Sequence, residues 1–295
     1  MFSTSIVSYP DRGRYGKSSY RGNCSGHIVR DFVETYMPNG EGLFVDPSEG
    51  GGTSRDVARD LGVRYFGTDL SQGFNLLTDD LAEAAGEQAA AAWWHPPYWD
   101  MIAYSGKQWG GEAHPHDLSR LPLPEFVEAL ELAIMNLHDA TRPGGTYGIL
   151  MGNLRRQGRY YNLSSLVERV APGMLVDEII KVQHNCMSDT RQYSSRLVRI
   201  AHEKLLVFRR DQSTSLMFLE TATVRANNMM TTTWRCVVRR VLQCGTTFDL
   251  QAIYARVEPY AQQRSNRNWK AKVRQVLQNP EHFDRVTKGV YRLAS

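Results

Sequence analysis

Two short runs carry residue types that could do chemistry. One is Asp46-Pro47-Ser48-Glu49-Gly50-Gly51-Gly52-Thr53-Ser54; the other, about 45 residues on, is Trp94-His95-Pro96-Pro97-Tyr98-Trp99-Asp100. In the second, consecutive prolines fix φ and remove two N–H donors, which holds the neighbouring carbonyls rigid. A rigid carbonyl, a histidine and an aromatic face together suit a base taken out of its stack. The acceptors take the hydrogens of its amino group while a ring stacks on it. They also leave the amino nitrogen's lone pair available to an electrophile. A structural Pro-Pro turn with core aromatics is the competing reading of that run by itself.

The glycines of the first run permit close backbone approach, and a helix beginning after them offers free N–H groups. The run lacks the Gly-Lys-Ser/Thr ending of a phosphate loop and the spacing of a dinucleotide fingerprint. A plain Gly-rich turn is its competing reading. Asp69, 23 residues after Asp46, ends a second apolar stretch and suits hydrogen bonding to two ribose hydroxyls. Together these features describe a nucleoside pocket without a phosphate cradle, which fits S-adenosylmethionine.

The positioning elements alternate. Apolar spacing predicts helices over 27–37, 54–61 and 124–140, an Ala-rich helix over 80–91 with Trp93-Trp94 entering the next turn, and strands over 43–45, 63–69, 147–151 and 204–209. Alternation of this kind predicts a mostly parallel sheet covered by helices, with ligands at the carboxyl ends of its strands.

Asp46–Ser54 resembles the Asp-Pro-Phe-x-Gly-Ser-Gly-Thr-Thr loop of DNA amino-methyltransferases, and His95-Pro96-Pro97-Tyr98 resembles their Asp/Asn/Ser-Pro-Pro-Tyr motif. Arg21–His27 is similar to the family's segment over the cofactor's methionine end. Pro143–Ile149 is similar to its later Gly-rich turn and strand, and Arg199–Phe208 to its closing strand pair. The resemblance spans roughly 20–210. It implies an α/β, Rossmann-like methyltransferase fold that uses S-adenosylmethionine to methylate an exocyclic amino group of a DNA base, adenine N6 favoured over cytosine N4. An RNA amino-methyltransferase and a catalytically inactive DNA-binding protein are the alternatives.

Carried onto this chain, the resemblance assigns the catalytic site to His95, Pro96, Pro97 and Tyr98. Asp46, Pro47, Ser48, Gly50, Gly52, Thr53, Asp69 and Leu70 go to the cofactor, with Asn23 and Ser25 near its carboxylate. Tyr98 is expected to stack on the base, with Trp99 beside it or in the core. Two positions depart from the family pattern: Ser48 stands where Phe is usual, and His95 where an acid, amide or hydroxyl is usual. A neutral imidazole still has one acceptor nitrogen. A protonated one has none, so activity is expected to fall below about pH 6.5.

The charge is uneven. From Thr221 to Ser295 thirteen Lys and Arg face four acids, a net of +9, while the first 220 residues carry −5 within the chain's +4. A basic segment of this kind suits phosphate binding; a solvated basic surface is the alternative. Helical patterns over 234–243, 249–260 and 268–278, then alternation around Lys288-Gly289, resemble a winged helix. The expected organisation is a methyltransferase domain over 1–210, a linker over 211–232 and a basic DNA-binding domain over 233–295; a dimerisation or protein-binding module is the other reading of the last. Arg267, Lys270, Lys272, Arg274 and Lys288 are its candidate DNA contacts, joined by Arg155, Arg156 and Trp99 from the first domain. The only inserts for site recognition are 105–120, 153–161 and 185–196, which predicts a short or relaxed target.

No apolar run of the roughly 20 residues needed to span a bilayer occurs, and the N-terminus lacks a signal-peptide core, so no membrane partner and a cytoplasmic location are expected. The four cysteines are scattered and no His/Cys/acid spacing points to a metal. A homodimer is compatible with the sequence.

Overall fold

The structure is a computed structural model in which residues 1–184, 197–211, 234–242, 247–262, 268–280 and 282–294 are described. In chain order the elements are β1 (Ile6–Ser8), α1 (Gly26–Tyr36), β2 (Leu43–Asp46), α2 (Thr53–Leu61), β3 (Arg64–Gly67), α3 (Leu81–Ala85), β4 (Ala89–Trp94), α4 (Leu123–Ala140), β5 (Thr141–Gly152), β6 (Leu154–Arg156), β7 (Arg159–Tyr161), α5 (Leu163–Val170), β8 (Met174–Val182) and β9 (His202–Arg209). Then come α6 (Trp234–Val241), β10 (Phe248–Asp249), α7 (Leu250–Gln262), α8 (Trp269–Leu277), β11 (Phe283–Thr287) and β12 (Val290–Leu293).

Seven strands form one sheet in the order β1-β8-β9-β5-β4-β2-β3. All pair in parallel except β9, which runs antiparallel to both neighbours. This is the expected α/β, Rossmann-like architecture with a mostly parallel sheet. The chain leaves β2 for β3 on one side and returns to β4 on the other. The strand order therefore reverses between β2 and β4, and a cleft opens at the carboxyl ends of such a pair.

The pleat assigns side chains to two apolar layers. Phe44, Ala91, Trp93 and Leu150 face one, with Ile28, Phe32 and Val57 of α1 and α2. Val45, Ala92, Trp94, Ile149 and Met151 face the other, with Leu130, Ile134 and Leu137 of α4. Strands buried on both faces read as continuous apolar runs, as Leu43-Phe44-Val45 does.

The Ala-rich helix expected over 80–91 is helical only in its first half, and its end is a strand. Only Leu81–Ala85 is helical, ending at Gly86, and Ala89–Trp94 form β4, fully buried. Burial between two helix layers overrides alanine's helix preference, because a central strand covered on both sides has room for small side chains. Trp93 and Trp94 thus end this strand instead of entering a turn. Helix α4 is buried nearly all round from Phe126 to Ala140, since α6 covers the side that the sheet does not.

The second unit has the order α6-β10-α7-α8-β11-β12 and a small sheet β10-β12-β11. It shares one continuous core with α4 through Val237, Val241, Ile253 and Val273. Three of its basic residues are spent there. Arg235 pairs with Asp80 at 2.9 Å and with Asp139 at 3.4 Å, Arg239 pairs with Asp139, and Arg240 lies 3.5 Å from Glu131. The linker expected over 211–232 lies, after residue 211, outside the described residues. Among the described residues, no helix is long and apolar enough to cross a membrane.

Candidate active site

A cleft of about 850 Å³, counting its open mouth, lies where β2, β3 and β4 end. Asn23, Asp46, Pro47, Ser48, Gly50, Thr53, Asp69, Leu70, His95 and Pro97 all wall it. The two runs singled out by their residue types are thus brought to one place. Ser25, Gly52, Pro96 and Tyr98 stand next to lining residues without walling the cleft themselves. Ser25 caps α1, where its hydroxyl accepts from His27 N–H and donates to the Asp11 carbonyl. Gly52 caps α2 with φ 82°.

The Gly loop is held from two sides. Lys17 N–H donates to the Gly51 carbonyl at 2.9 Å, and a Cβ at Gly51 would strike the Asn23 amide. Gly50 has φ 48°, in the left-handed region, and its N–H donates to Asp69 Oδ2 at 3.2 Å. Asp69 Oδ1 accepts from Ser71 N–H and Ser71 Oγ, so the carboxylate is fixed at the mouth with accepting capacity left on Oδ2. Asp46 is buried; Ser48 N–H donates to one oxygen at 3.0 Å and Ser54 Oγ to the other at 2.5 Å. Burial outweighs those bonds and pushes its carboxyl up to about 7. Thr53 Oγ1, buried at the start of α2, has no hydrogen-bond partner among the described residues. Trp94 Nε1 donates to Ser48 Oγ at 3.1 Å, tying the end of β4 to the loop after β2.

Behind the cleft runs a polar chain, half-buried at His95 and Tyr98 and buried at Glu203 and Lys181. His95 Nε2 is 2.8 Å from Tyr98 Oη, Tyr98 Oη is 2.8 Å from Glu203 Oε1, and Lys181 Nζ donates to Glu203 Oε2 at 2.7 Å. The Tyr98 ring lies against Gly152, where any Cβ would collide with it. Burial would raise the Glu203 carboxyl, but the Lys181 ammonium beside it holds it below its ordinary value. Burial pushes His95 down to about 4 and Tyr98 well up. The expected loss of His95's acceptor near pH 6.5 is therefore overturned: desolvation keeps the ring neutral well below that pH.

Trp99 adopts φ 50°, unusual for a bulky residue, with its Nε1 donating to the Leu121 carbonyl and its ring packed on Tyr161. Strain of this kind clusters at functional sites. Arg156 is committed to Asp100, bonding both its carboxylate and its carbonyl, which clamps the β6–β7 hairpin to the loop after β4. Arg155 lies over the Tyr160 ring at 5.0 Å.

The sequence reading missed Tyr20, Tyr104 and Trp109, whose rings pack together at the wall of the cleft; Trp109 Nε1 donates to Tyr20 Oη at 3.0 Å. It also missed His116, which lines the cleft and contacts Asn75. A dense run of aromatics and glycines over 104–111 was the available signal. In the second unit, Lys270, Lys272, Arg274 and Lys288 are exposed on α8 and the β11–β12 turn, while Arg267 lies outside the described residues. Lys270 sits near the Tyr254 and Trp269 rings, and Arg274 donates to Tyr254 Oη. Among the described residues no group of three metal-ligating side chains occurs.

No protein-family model matches the sequence, and no curated protein matches it. Solved structures of methyltransferases are similar at low identity. TrmN from Thermus thermophilus is 11% identical over 64% of this chain and 50% of its own, with a TM-score of 0.36. An S-adenosylmethionine-dependent methyltransferase from Archaeoglobus fulgidus is 12% identical over 64% and 96%, with a TM-score of 0.34. The N-methyltransferase NodS from Bradyrhizobium japonicum WM9 is 12% identical over 63% and 95%, also with a TM-score of 0.34. The chain thus spans half the length of TrmN.

Proposed function

We propose that this protein transfers a methyl group from S-adenosylmethionine to an exocyclic amino group of a DNA base, adenine N6 before cytosine N4. One observation carries the reading: His95, next to a rigid Pro96-Pro97 turn, shares a single cleft with the Gly loop and Asp69. The residues present fit the cofactor. The unpartnered Thr53 hydroxyl, the accepting Asp69 Oδ2 and the acids Asp46 and Glu49 together match a molecule with ribose hydroxyls and positive charge. Asp46 would hold its methionine end, within the Gly50–Gly52 loop, and Asp69 its ribose; Asn23 lies close to the first of these. When bound, S-adenosylmethionine supplies an electrophilic methyl group on a sulfonium.

The chain's own residues orient the nucleophile. His95 and the Pro96 carbonyl accept the two amino hydrogens, which leaves the nitrogen lone pair free to face the methyl group. Neutral His95 can also take the proton that the nitrogen sheds.

The second unit has the element order of a winged helix, and we assign it to duplex DNA through exposed Lys270, Lys272 and Arg274 on α8 and Lys288 in the wing. Arg155 belongs to the β6–β7 hairpin, which Arg156 ties to the loop after β4. The test is transfer of labelled methyl from S-adenosylmethionine to unmethylated duplex DNA, with nucleoside analysis and a His95→Ala control. N6-methyladenine or N4-methylcytosine that is lost in the control supports the reading and settles the base. Cofactor binding without transfer to DNA, but with transfer to RNA, replaces the substrate; no transfer to either leaves a DNA-binding protein.

A further inference from the structure

The donors and acceptors of the polar chain can be counted. Glu203 shares Oε2 with the Lys181 ammonium at 2.7 Å, from the facing position on the neighbouring strand. A carboxylate held by an ammonium is ionised, and an ionised carboxylate only accepts. Tyr98 has one hydroxyl hydrogen, and it must go to Glu203 Oε1, 2.8 Å away. His95 Nε2, 2.8 Å from the Tyr98 hydroxyl oxygen, must then bring its own hydrogen. A neutral imidazole with a hydrogen on Nε2 has a lone pair on Nδ1.

We infer that Glu203, anchored by Lys181, sets the tautomer of His95 through Tyr98, so that Nδ1 is presented as an acceptor. Glu203 and Lys181 are positioning residues. Neither walls the cleft, and they act through the direction in which the hydrogens of the chain point. The catalytic consequence rests on the reading of the site as one that methylates an amino group. An acceptor at Nδ1 receives an amino hydrogen, whereas the other tautomer would meet it donor to donor. The same polarity disfavours a base that presents a carbonyl at this point.

The device can be reversed by one substitution. In Glu203→Gln, the ammonium retains the amide oxygen, so the amide N–H faces Tyr98 and donates to it. Tyr98 then donates to His95 Nε2, and the imidazole hydrogen moves to Nδ1. In Lys181→Met, Glu203 is left buried without its cation, takes up a proton and donates to Tyr98, with the same outcome.

The test is nitrogen NMR of the full chain labelled at its eight histidines, with the His95 signals assigned by their loss in His95→Gln. The expected wild-type result is a directly bonded hydrogen on Nε2 and an unprotonated Nδ1. In Glu203→Gln the hydrogen is expected on Nδ1, with S-adenosylmethionine affinity unchanged by calorimetry and methyl transfer reduced about 100-fold or more, the order seen when one pre-organised hydrogen-bond partner is lost. If Glu203→Gln does not fold, Lys181→Met replaces it, and the wild-type spectrum needs no variant. A hydrogen on Nδ1 in the wild type, or one that stays on Nε2 in the variant, overturns the inference. The predicted tautomers in a protein with no transfer activity would uphold the relay and sink the methylation reading instead.

Discussion

Trp94 Nε1 donates to Ser48 Oγ at 3.1 Å, and this bond joins the two loops that form the cleft. Trp94 is only 1% exposed, so the indole N–H has no water to turn to. Ser48 is also the position where the resemblance leads one to expect Phe. The serine is therefore matched to the tryptophan. Ser48→Ala should cost about 1–3 kcal/mol, the penalty of an orphaned buried donor. Trp94→Phe with Ser48→Ala should recover part of the hydrogen-bond loss. A double-mutant cycle by urea denaturation checks this; additive effects would show that the bond is not formed.

The pH dependence expected of the proposed catalysis follows from the burial of His95. Desolvation pushes the imidazole down to about 4, so the acceptor form persists throughout the neutral range. With cofactor saturating, kcat should be flat between pH 5.5 and 8 so far as His95 controls it. A midpoint near pH 6.5 that disappears in a His95 variant would show the ring to be solvated instead.

Asp46 gives a second dependence, of binding rather than turnover. Its carboxyl is raised to about 7 by burial, so below that pH it is largely neutral. A cation in the cleft favours the ionised form, so binding releases a proton and tightens as pH rises. Affinity for S-adenosylmethionine should increase by up to about tenfold per pH unit below 7 and level off above it. Asp46→Asn should bind weakly with no such slope. Calorimetry in buffers of different ionisation heat reads the proton release directly.

The two units should unfold together. Asp139 is fully buried and pairs with both Arg235 and Arg239. Removing it takes the buried anion from Arg239 and leaves Arg235 to Asp80 alone in the α4–α6 interface, and Asp139→Ala should cost about 3–5 kcal/mol. The exposed pair Arg292–Asp284 is the contrast, since Arg292→Ala should cost no more than about 1 kcal/mol. Chemical denaturation of both variants separates the cases. Equal costs would mean that the Asp139 cluster does not hold the interface.

What could be read from the sequence was local. The Gly loop, the His-Pro-Pro-Tyr turn, Asp69 and the Lys288-Gly289 hairpin announce themselves through backbone chemistry within a few residues. Glu203 and Lys181 do not. They reach Tyr98 because β8 and β9 lie in register at the far side of β5, and Gly152 leaves room for the ring. No spacing along the chain encodes that meeting. The Ala-rich stretch misled because propensity is a local average, whereas Ala89–Ala92 answer to the two helix layers that close over them. The burial of Arg235 and Arg239 had one visible sign, the acids Glu128, Glu131 and Asp139 set among the buried residues of α4. An acid in a core helix needs a cation from elsewhere, and a basic amphipathic helix was the available donor.

The same buried arginines bear on the proposed binding of DNA. Three of the thirteen basic residues in the C-terminal segment are committed to the interface, so its net charge overstates what phosphates can reach. Lys272 on α8 and Lys288 in the turn before β12 are exposed. Removing one lysine–phosphate pairing should lower the slope of log affinity against log salt by about 1. Lys272→Ala with Lys288→Ala should therefore weaken duplex binding regardless of sequence and reduce the slope by about 2. Methyl transfer to a free nucleoside or very short oligonucleotide should be unaffected, because the cleft is untouched. Fluorescence anisotropy across a salt titration reads the slope. An unchanged slope would mean that this face of α8 and its turn does not meet DNA, and would direct the search for the duplex to the β6–β7 hairpin.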